Sequence, residues 1–330
     1  MKAFSIAALV PRFMGALFAL SVPSTAAAYC QTHTCEFSGT QRCEIDALTG
    51  CSSGGPVAHW DTGCITYAVE SEGSARARIS AQSLSEVLAE GFDLWSNVNC
   101  PSGAGSPRLT ASYRGETPCD EVEYNCGAGD GNNNIVMFRD TGSDLSTTTI
   151  ALSTIIAKLS TGEILDVDIE INSRDFDFYV TDGEAQQDAH DLRLVLNHEL
   201  GHFLGLSHTR VAGALMRAAY DGNDRFPAAD DIAGICRAVP VGADPSCSVA
   251  PLVDGGACVG ADSSCPVAVS SDAEDAAGCS YLPPAAHSAS APGAWALRER
   301  AGWLLGLGFG LVVFLRSRAS VRCQRRALRP

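Results

Sequence analysis

The stretch His198-Glu199-Leu200-Gly201-His202-Phe203-Leu204-Gly205-Leu206-Ser207-His208 decides how the rest of the chain is read. Leu192, Leu196 and Leu200 fall on one stripe, which predicts a helix over 189–204 that stops at Gly205. On that helix His198 and His202 sit four residues apart, one above the other, so their ring nitrogens can converge on a single ion. Glu199 points beside them, close to where a water on that ion would sit. Gly205 can take the left-handed backbone that ends a helix, which turns the chain and returns His208 as a third ligand. Three neutral imidazoles leave the fourth position of a tetrahedral Zn²⁺ open, as a catalytic site requires and a closed structural site does not. The five fixed residues would arise by chance in about one chain in 10⁵.

Outward from this stretch the patterning is that of an α+β domain. Leu84, Val87, Leu88, Gly91, Phe92 and Trp95 recur at helical spacing and predict an earlier helix with one apolar side. Ile65, Tyr67 and Val69 alternate with smaller or polar neighbours, as in a half-buried strand. Residues 135–138 and 151–159 also read as strands. Leu165, Val167, Ile169 and Ile171 alternate strictly with Asp166, Asp168, Glu170 and Asn172, a strand with one dry face. A third helix is predicted over 229–238.

Composition bounds the partners and the compartment. The 330 residues carry 23 basic and 38 acidic side chains, a net of −15, but eight arginines lie after residue 297. Between residues 29 and 297 there are 13 basic and 37 acidic side chains, a net of −24, which excludes a nucleic-acid backbone as the expected partner. With 46% hydrophobic and 18% charged residues the chain is not largely disordered. Fourteen cysteines, none in a Cys-x-x-Cys pair, point to disulfides and an oxidising compartment. Lys2 and Arg12 flank an apolar stretch that leads to Ala26-Ala27-Ala28, so 1–28 reads as a secretion signal.

The remaining segments follow from composition. Residues 29–56 hold Cys30, Cys35, Cys43 and Cys51 and too few apolar residues for a core of their own, so disulfides are expected to hold them. Residues 57–240 form the globular domain. Over 241–293 the composition shifts to Ala, Ser, Pro, Gly and Asp, with Cys247, Cys258, Cys265 and Cys279 interspersed, and reads as a stalk with local crosslinks. The uncharged apolar run 301–315 is about 22 Å of helix, short of the ~30 Å hydrocarbon core but usable if flanking arginines snorkel. Arg316, Arg318, Arg322, Arg325, Arg326 and Arg329 follow it, so 294–330 reads as an anchor or sorting tail whose end stays inside. A reduced Cys323 leaves 13 outer cysteines, an odd number, with Cys279 the candidate for the one left over.

Residues 57–240 resemble a metzincin zinc protease with a matrixin-type catalytic domain. The zinc pattern is shared with that group. Trp60 ahead of Ile65-Thr66-Tyr67, Phe92-Asp93-Leu94-Trp95-Ser96, Ala214-Leu215-Met216 with Tyr220 four residues on, and Asp230-Asp231-Ile232-Ala233-Gly234-Ile235 all resemble matrixin landmarks. The resemblance implies a twisted mixed sheet with two long helices and one Zn²⁺ held by His198, His202 and His208. It also implies Glu199 as general base, Met216 in a methionine turn below the ligands, and Tyr220 lining the substrate pocket. Protein or peptide substrates are implied, an extended chain pairing with the edge of the strand at 151–158. Gly278-Cys279-Ser280 followed by the apolar run resembles bacterial C-terminal sorting tails, which would attach the protein to the membrane or cell envelope. The oligomeric state is left open.

Several residues depart from that pattern. No histidine lies between Ile135 and Ile169, so the second, structural zinc of matrixins has no ligands in sight. The inhibitory Pro-Arg-Cys-Gly segment is missing; Arg42-Cys43-Glu44 is its nearest echo, and a disulfide is the preferred reading of Cys43. Asp130-Gly131-Asn132-Asn133-Asn134 offers oxygens of the kind Ca²⁺ takes, although a plain Gly/Asn turn is preferred. The alternative to a protease is a binding or adhesion protein that keeps the fold and hydrolyses nothing.

Overall fold

In the computed structural model, which describes residues 29–37, 43–142, 144–180, 188–219, 225–242, 247–265 and 268–269, five strands make up most of one six-stranded mixed sheet. They are β1 (Cys64–Glu70), β2 (Thr110–Thr117), β3 (Ile135–Phe138), β4 (Ala151–Ala157) and β5 (Ile164–Ile171). Across the sheet the order is Ala268–Val269, β4, β5, β3, β1, β2. β1 is parallel to β2 and β3, and β3 is parallel to β5, whereas β4 runs antiparallel to β5. Parallel neighbours need long crossovers. The helix α1 (Ala81–Ser96) supplies the one between β1 and β2. β2 carries no sequence signal: Arg114, Gly115 and Glu116 interrupt its apolar pattern at the far edge of the sheet.

α1 begins where Ser80 Oγ accepts the Ser83 N–H at 3.1 Å, and its stripe from Leu84 to Trp95 is buried, as its spacing predicts. The second helix, α2 (Leu192–Phe203), starts three residues later than its spacing predicts. Residues Ala189–Asp191 instead pair in parallel with Asp177–Tyr179, and Asp191 accepts the Arg193 N–H at 3.1 Å to cap the helix. α2 crosses α1 closely at Gly91, where an added Cβ would lie 2.6 Å from Leu200 Cδ1. Phe92 meets Phe203 edge-on at 5.4 Å, and Trp95 Nε1–H donates to Asn197 O at 2.9 Å, so the aromatic end of α1 is bonded into α2. The last helix, α3 (Ala229–Ala238), has the predicted bounds.

Six disulfides join described residues. Cys30–Cys51 and Cys35–Cys43 are local to the N-terminal segment, and Cys100–Cys236 ties the chain after α1 to α3. Cys43 is therefore a disulfide cysteine. The local crosslinks expected beyond residue 240 are corrected by the structure: Cys247, Cys258 and Cys265 reach back 183, 139 and 139 residues to Cys64, Cys119 and Cys126. With little apolar surface of its own, this segment uses the domain for partners. Thr117 Oγ1 donates to Gly256 O, Arg114 donates to Pro251 O at 2.7 Å, and Glu123 accepts the Gly260 N–H at 2.7 Å. Cys279, Cys323, the signal stretch 1–28 and the apolar run 301–315 lie outside the described residues. Among the described residues no helix is long and apolar enough to cross a membrane.

Candidate metal centre

His198 and His202 project from the last turns of α2, and Gly205, at φ +92°, turns the chain so that Leu206–Ser207 leads to His208. A side chain at Gly205 would also crowd Ala58 O, 2.8 Å from an added Cβ. The returning strand is held by the N-terminal segment: Cys30–Gln31 pairs antiparallel with Leu206–Ser207, and Thr32 N–H donates to Gly205 O at 3.0 Å. The three Nε2 atoms then form a near-equilateral triangle, His198 to His202 3.1 Å, His198 to His208 3.2 Å and His202 to His208 3.2 Å.

The far nitrogens fix the tautomers of the two helical histidines. His198 Nδ1–H donates to Leu215 O at 2.6 Å and His202 Nδ1–H to Leu206 O at 2.8 Å. Their Nε2 atoms therefore present lone pairs to one another. Burial pushes His198 down to about 4, and burial followed by the neighbouring His208 and His198 pushes His202 well below the usual imidazole range. Converging lone pairs repel unless a cation lies between them. Tetrahedral Zn²⁺ at 2.0–2.1 Å from each nitrogen requires N···N spacings of about 3.3–3.4 Å, and the observed triangle is within a few tenths of that. The donor set fits zinc. Among the described residues two other groups of close donors, Cys119/Glu123/Cys258 and Cys126/Asp262/Cys265, contain disulfide sulfurs and have no thiolate to offer.

Glu199 is fully buried, and Ser153 Oγ–H of β4 donates to its Oε2 at 2.7 Å. Met216 is buried against Gly201, the residue before His202, where an added Cβ would overlap its Sδ. The Met216 turn is fixed by Asp231 of α3, whose carboxylate accepts the N–H groups of Leu215 (2.7 Å), Met216 (3.1 Å) and Ala228 (2.7 Å). Burial still pushes that carboxyl up, against the pull of the three donors. Thr209 N–H donates to Met216 O at 2.9 Å and closes the loop between the third histidine and the turn. Trp60, stacked on Phe203 at 5.6 Å, donates Nε1–H to Phe203 O at 2.8 Å and ties the chain ahead of β1 to the end of α2.

Residues 148–238 match the family model Matrixin (Peptidase_M10). That span runs from β4 through β5, α2 and the three histidines to the end of α3. The match supports a matrixin-like metzincin domain of the zinc-metalloprotease type, and the mixed sheet with three helices is compatible with it. No curated protein matches the chain.

The structure thus brings together His198, His202 and His208, and packs Met216 against Gly201 of the helix that carries Glu199. Tyr220 lies outside the described residues. In the Asp130–Asn134 turn, side-chain oxygens already accept backbone donors: Asn132 Oδ1 from Asn125 N–H at 2.8 Å and Asn134 Oδ1 from Val167 N–H at 2.7 Å. Sequence reasoning missed the parts played by Ser153 and Asp231. Ser153 has no local signal, because its partner is 46 residues away. Asp231 had one: an acid at the third position of a helix whose N-cap is alanine must itself reach back to the cap N–H.

Proposed function

We propose that this protein is an exported zinc-dependent endopeptidase, with residues 57–240 as its catalytic domain. The observation that carries the proposal is the triangle of three Nε2 atoms, two of them on the helix that also carries the buried Glu199. Bound zinc supplies a Lewis acid for the scissile carbonyl and lowers the pKa of a coordinated water towards neutrality. Glu199 takes the proton of the attacking water and passes it to the leaving amine. Ser153 holds that carboxylate in one orientation through the 2.7 Å hydrogen bond. The Leu215 and Leu206 carbonyls keep two of the ligand rings turned with Nε2 inward, and Met216 gives them an apolar floor with no chemistry of its own.

An extended protein or peptide substrate pairs along β4, and Tyr220 lines the pocket for the side chain after the cleaved bond. Six disulfides agree with an oxidising destination. Export through 1–28 and attachment to the cell envelope through 294–330 belong to the same proposal. The test is to produce the exported chain, measure bound metal, and assay a mixed peptide library with and without a chelator. One zinc per chain, cleavage lost on chelation and restored by Zn²⁺, and a Glu199→Ala variant that keeps zinc but loses at least about 10³-fold in turnover are expected. Undiminished turnover in that variant removes the general base, and cleavage that survives chelation removes the metal.

A further inference from the structure

β4 has two edges with different fates. One pairs with β5 from Ala151↔Ile171 to Ala157↔Ile164. On the other, Ala268 pairs antiparallel with Ala157 and Val269 with Ile156. Among the described residues no strand pairs with the rest of that edge, Ala151 to Ile155. Ser153, which bonds Glu199, lies in the middle of this open part. The two-residue strand follows Cys265, and the Cys126–Cys265 disulfide fixes where the chain arrives. The C-terminal segment therefore takes up one end of the edge along which a substrate would be held.

We infer that Ala268–Val269 is a specificity element that limits how far a substrate extends along β4 on one side of the cleaved bond. The inference rests on the proposed endopeptidase reading. From Ser153 to Ile156 is three residues, about 10 Å at 3.3–3.4 Å per residue. A peptide level with Glu199 thus has room for about two further ladder residues before it meets Val269. Both strands already on β4 run antiparallel to it, the pairing that is also slightly the more stable. In that sense the end of the substrate facing Ile156 is its N-terminal side. Recognition is short before the scissile bond, while the direction of Ala151 is not capped by a described strand.

The experiment uses the full exported chain and a peptide series that shares one cleaved bond, with two, three, four or six residues before it. In the native protein kcat/KM is expected to change less than twofold from three residues to six. Ala268→Pro with Val269→Pro removes both strand N–H groups, and Cys126→Ser with Cys265→Ser frees the segment by a second route. In either variant the same lengthening is expected to raise kcat/KM at least tenfold. A native enzyme that gains tenfold from the added residues overturns the inference. So does a variant as flat as the native protein. Amide exchange needs no turnover: protection over 155–158 should fall at least tenfold in the proline variant. Unchanged exchange refutes the cap even in a chain that cleaves nothing, whereas loss of protection without cleavage refutes only the protease.

Discussion

Replacing Gly201 by alanine puts one methyl group between the metal-binding helix and the methionine below it. The added Cβ overlaps Met216 Sδ and stands 3.0 Å from Met216 Cε and 3.1 Å from Trp95 Cζ2, where carbon contacts prefer about 3.5–4.0 Å. Trp95 cannot retreat without breaking its bond to Asn197 O, and the Met216 backbone is fixed by Asp231 and Thr209, so the thioether must leave. Overpacking of this kind costs about 1–3 kcal/mol, and glycine-to-alanine in a helix returns about 0.5–1 kcal/mol. The net loss is about 0–2.5 kcal/mol. In a Met216→Ala background the steric cost disappears and the helix gain remains, so Gly201→Ala should become stabilising by about 0.5–1 kcal/mol. The coupling across the cycle is then about 1–3 kcal/mol, read from urea midpoints of the four proteins with disulfides intact. Zinc affinity, by competition with a chelator, should fall about tenfold in the single Gly201→Ala variant as the floor shifts. An equal cost of Gly201→Ala in both backgrounds would refute the claim that Met216 packs against Gly201.

Three further perturbations follow from the same contacts. Ser153→Ala removes a charge-assisted hydrogen bond of about 1.5–3 kcal/mol to Glu199, so kcat should fall about 10- to 100-fold with zinc content unchanged; wild-type kcat would exclude a positioning role. Asp166 is buried with no partner for Oδ2, and burial, then Asp168 and Glu123, push its carboxyl well above the usual range. The folded state therefore holds this proton more tightly than the unfolded one. The group's contribution is fully present below the unfolded value of about 3.9 and is lost as pH rises through the raised folded value. Asp166→Asn should thus stabilise the protein by about 1–3 kcal/mol at pH 8 and by nothing near pH 3.5; equal melting shifts at both pH values would contradict it. Cys126–Cys265 lies seven residues from Cys119–Cys258 at both ends, so it closes an extra loop of only about 15 residues. Removing it should cost about 3 kcal/mol, against nearly 5 kcal/mol for a lone loop of its full span, a difference visible in denaturant midpoints.

What the sequence disclosed and what it withheld divide by range. α1 and α3 were legible because one buried stripe recurs within a single element, and β5 because apolar residues alternate with polar ones; the single dry face expected of β5 is corrected, since Asp166 and Asp168 on its other face are buried too. The start of α2 was not, because Ala189–Asp191 is claimed by a partner strand more than ten residues earlier. α2 is also buried on every side, so its helical stripe carries less contrast than that of α1. β4 is buried on both faces and reads as a plain apolar run, so nothing marks Ser153 as the residue that touches Glu199. The three long disulfides join cysteines that no spacing rule connects. Only the folded sheet brings Cys64, Cys119 and Cys126 to the segment beyond residue 240.

The compact spelling of the site conceals how widely its geometry is supported. All three imidazoles come from eleven consecutive residues, yet none of the bonds that aim them lies wholly inside a regular element. His202 is turned by the Leu206 carbonyl, whose oxygen also accepts Thr32 Oγ1–H from the N-terminal segment at 3.1 Å. His198 is turned by the Leu215 carbonyl, and the Leu215 N–H is held by Asp231 of α3. The segment around Cys30–Cys51 and the one closed by Cys100–Cys236 therefore each help to aim one of the two helical rings, His202 and His198 respectively. A chain whose disulfides have not formed would have the histidines but not their convergence. The physical reason is entropic, since crosslinks remove from the unfolded ensemble the freedom that a short polar segment cannot offset by burial. Zinc affinity should then track oxidation of the chain, rising only after the N-terminal and α3 crosslinks have closed. A reduced chain that binds zinc as tightly as the oxidised one would show that α2 and its turn suffice alone.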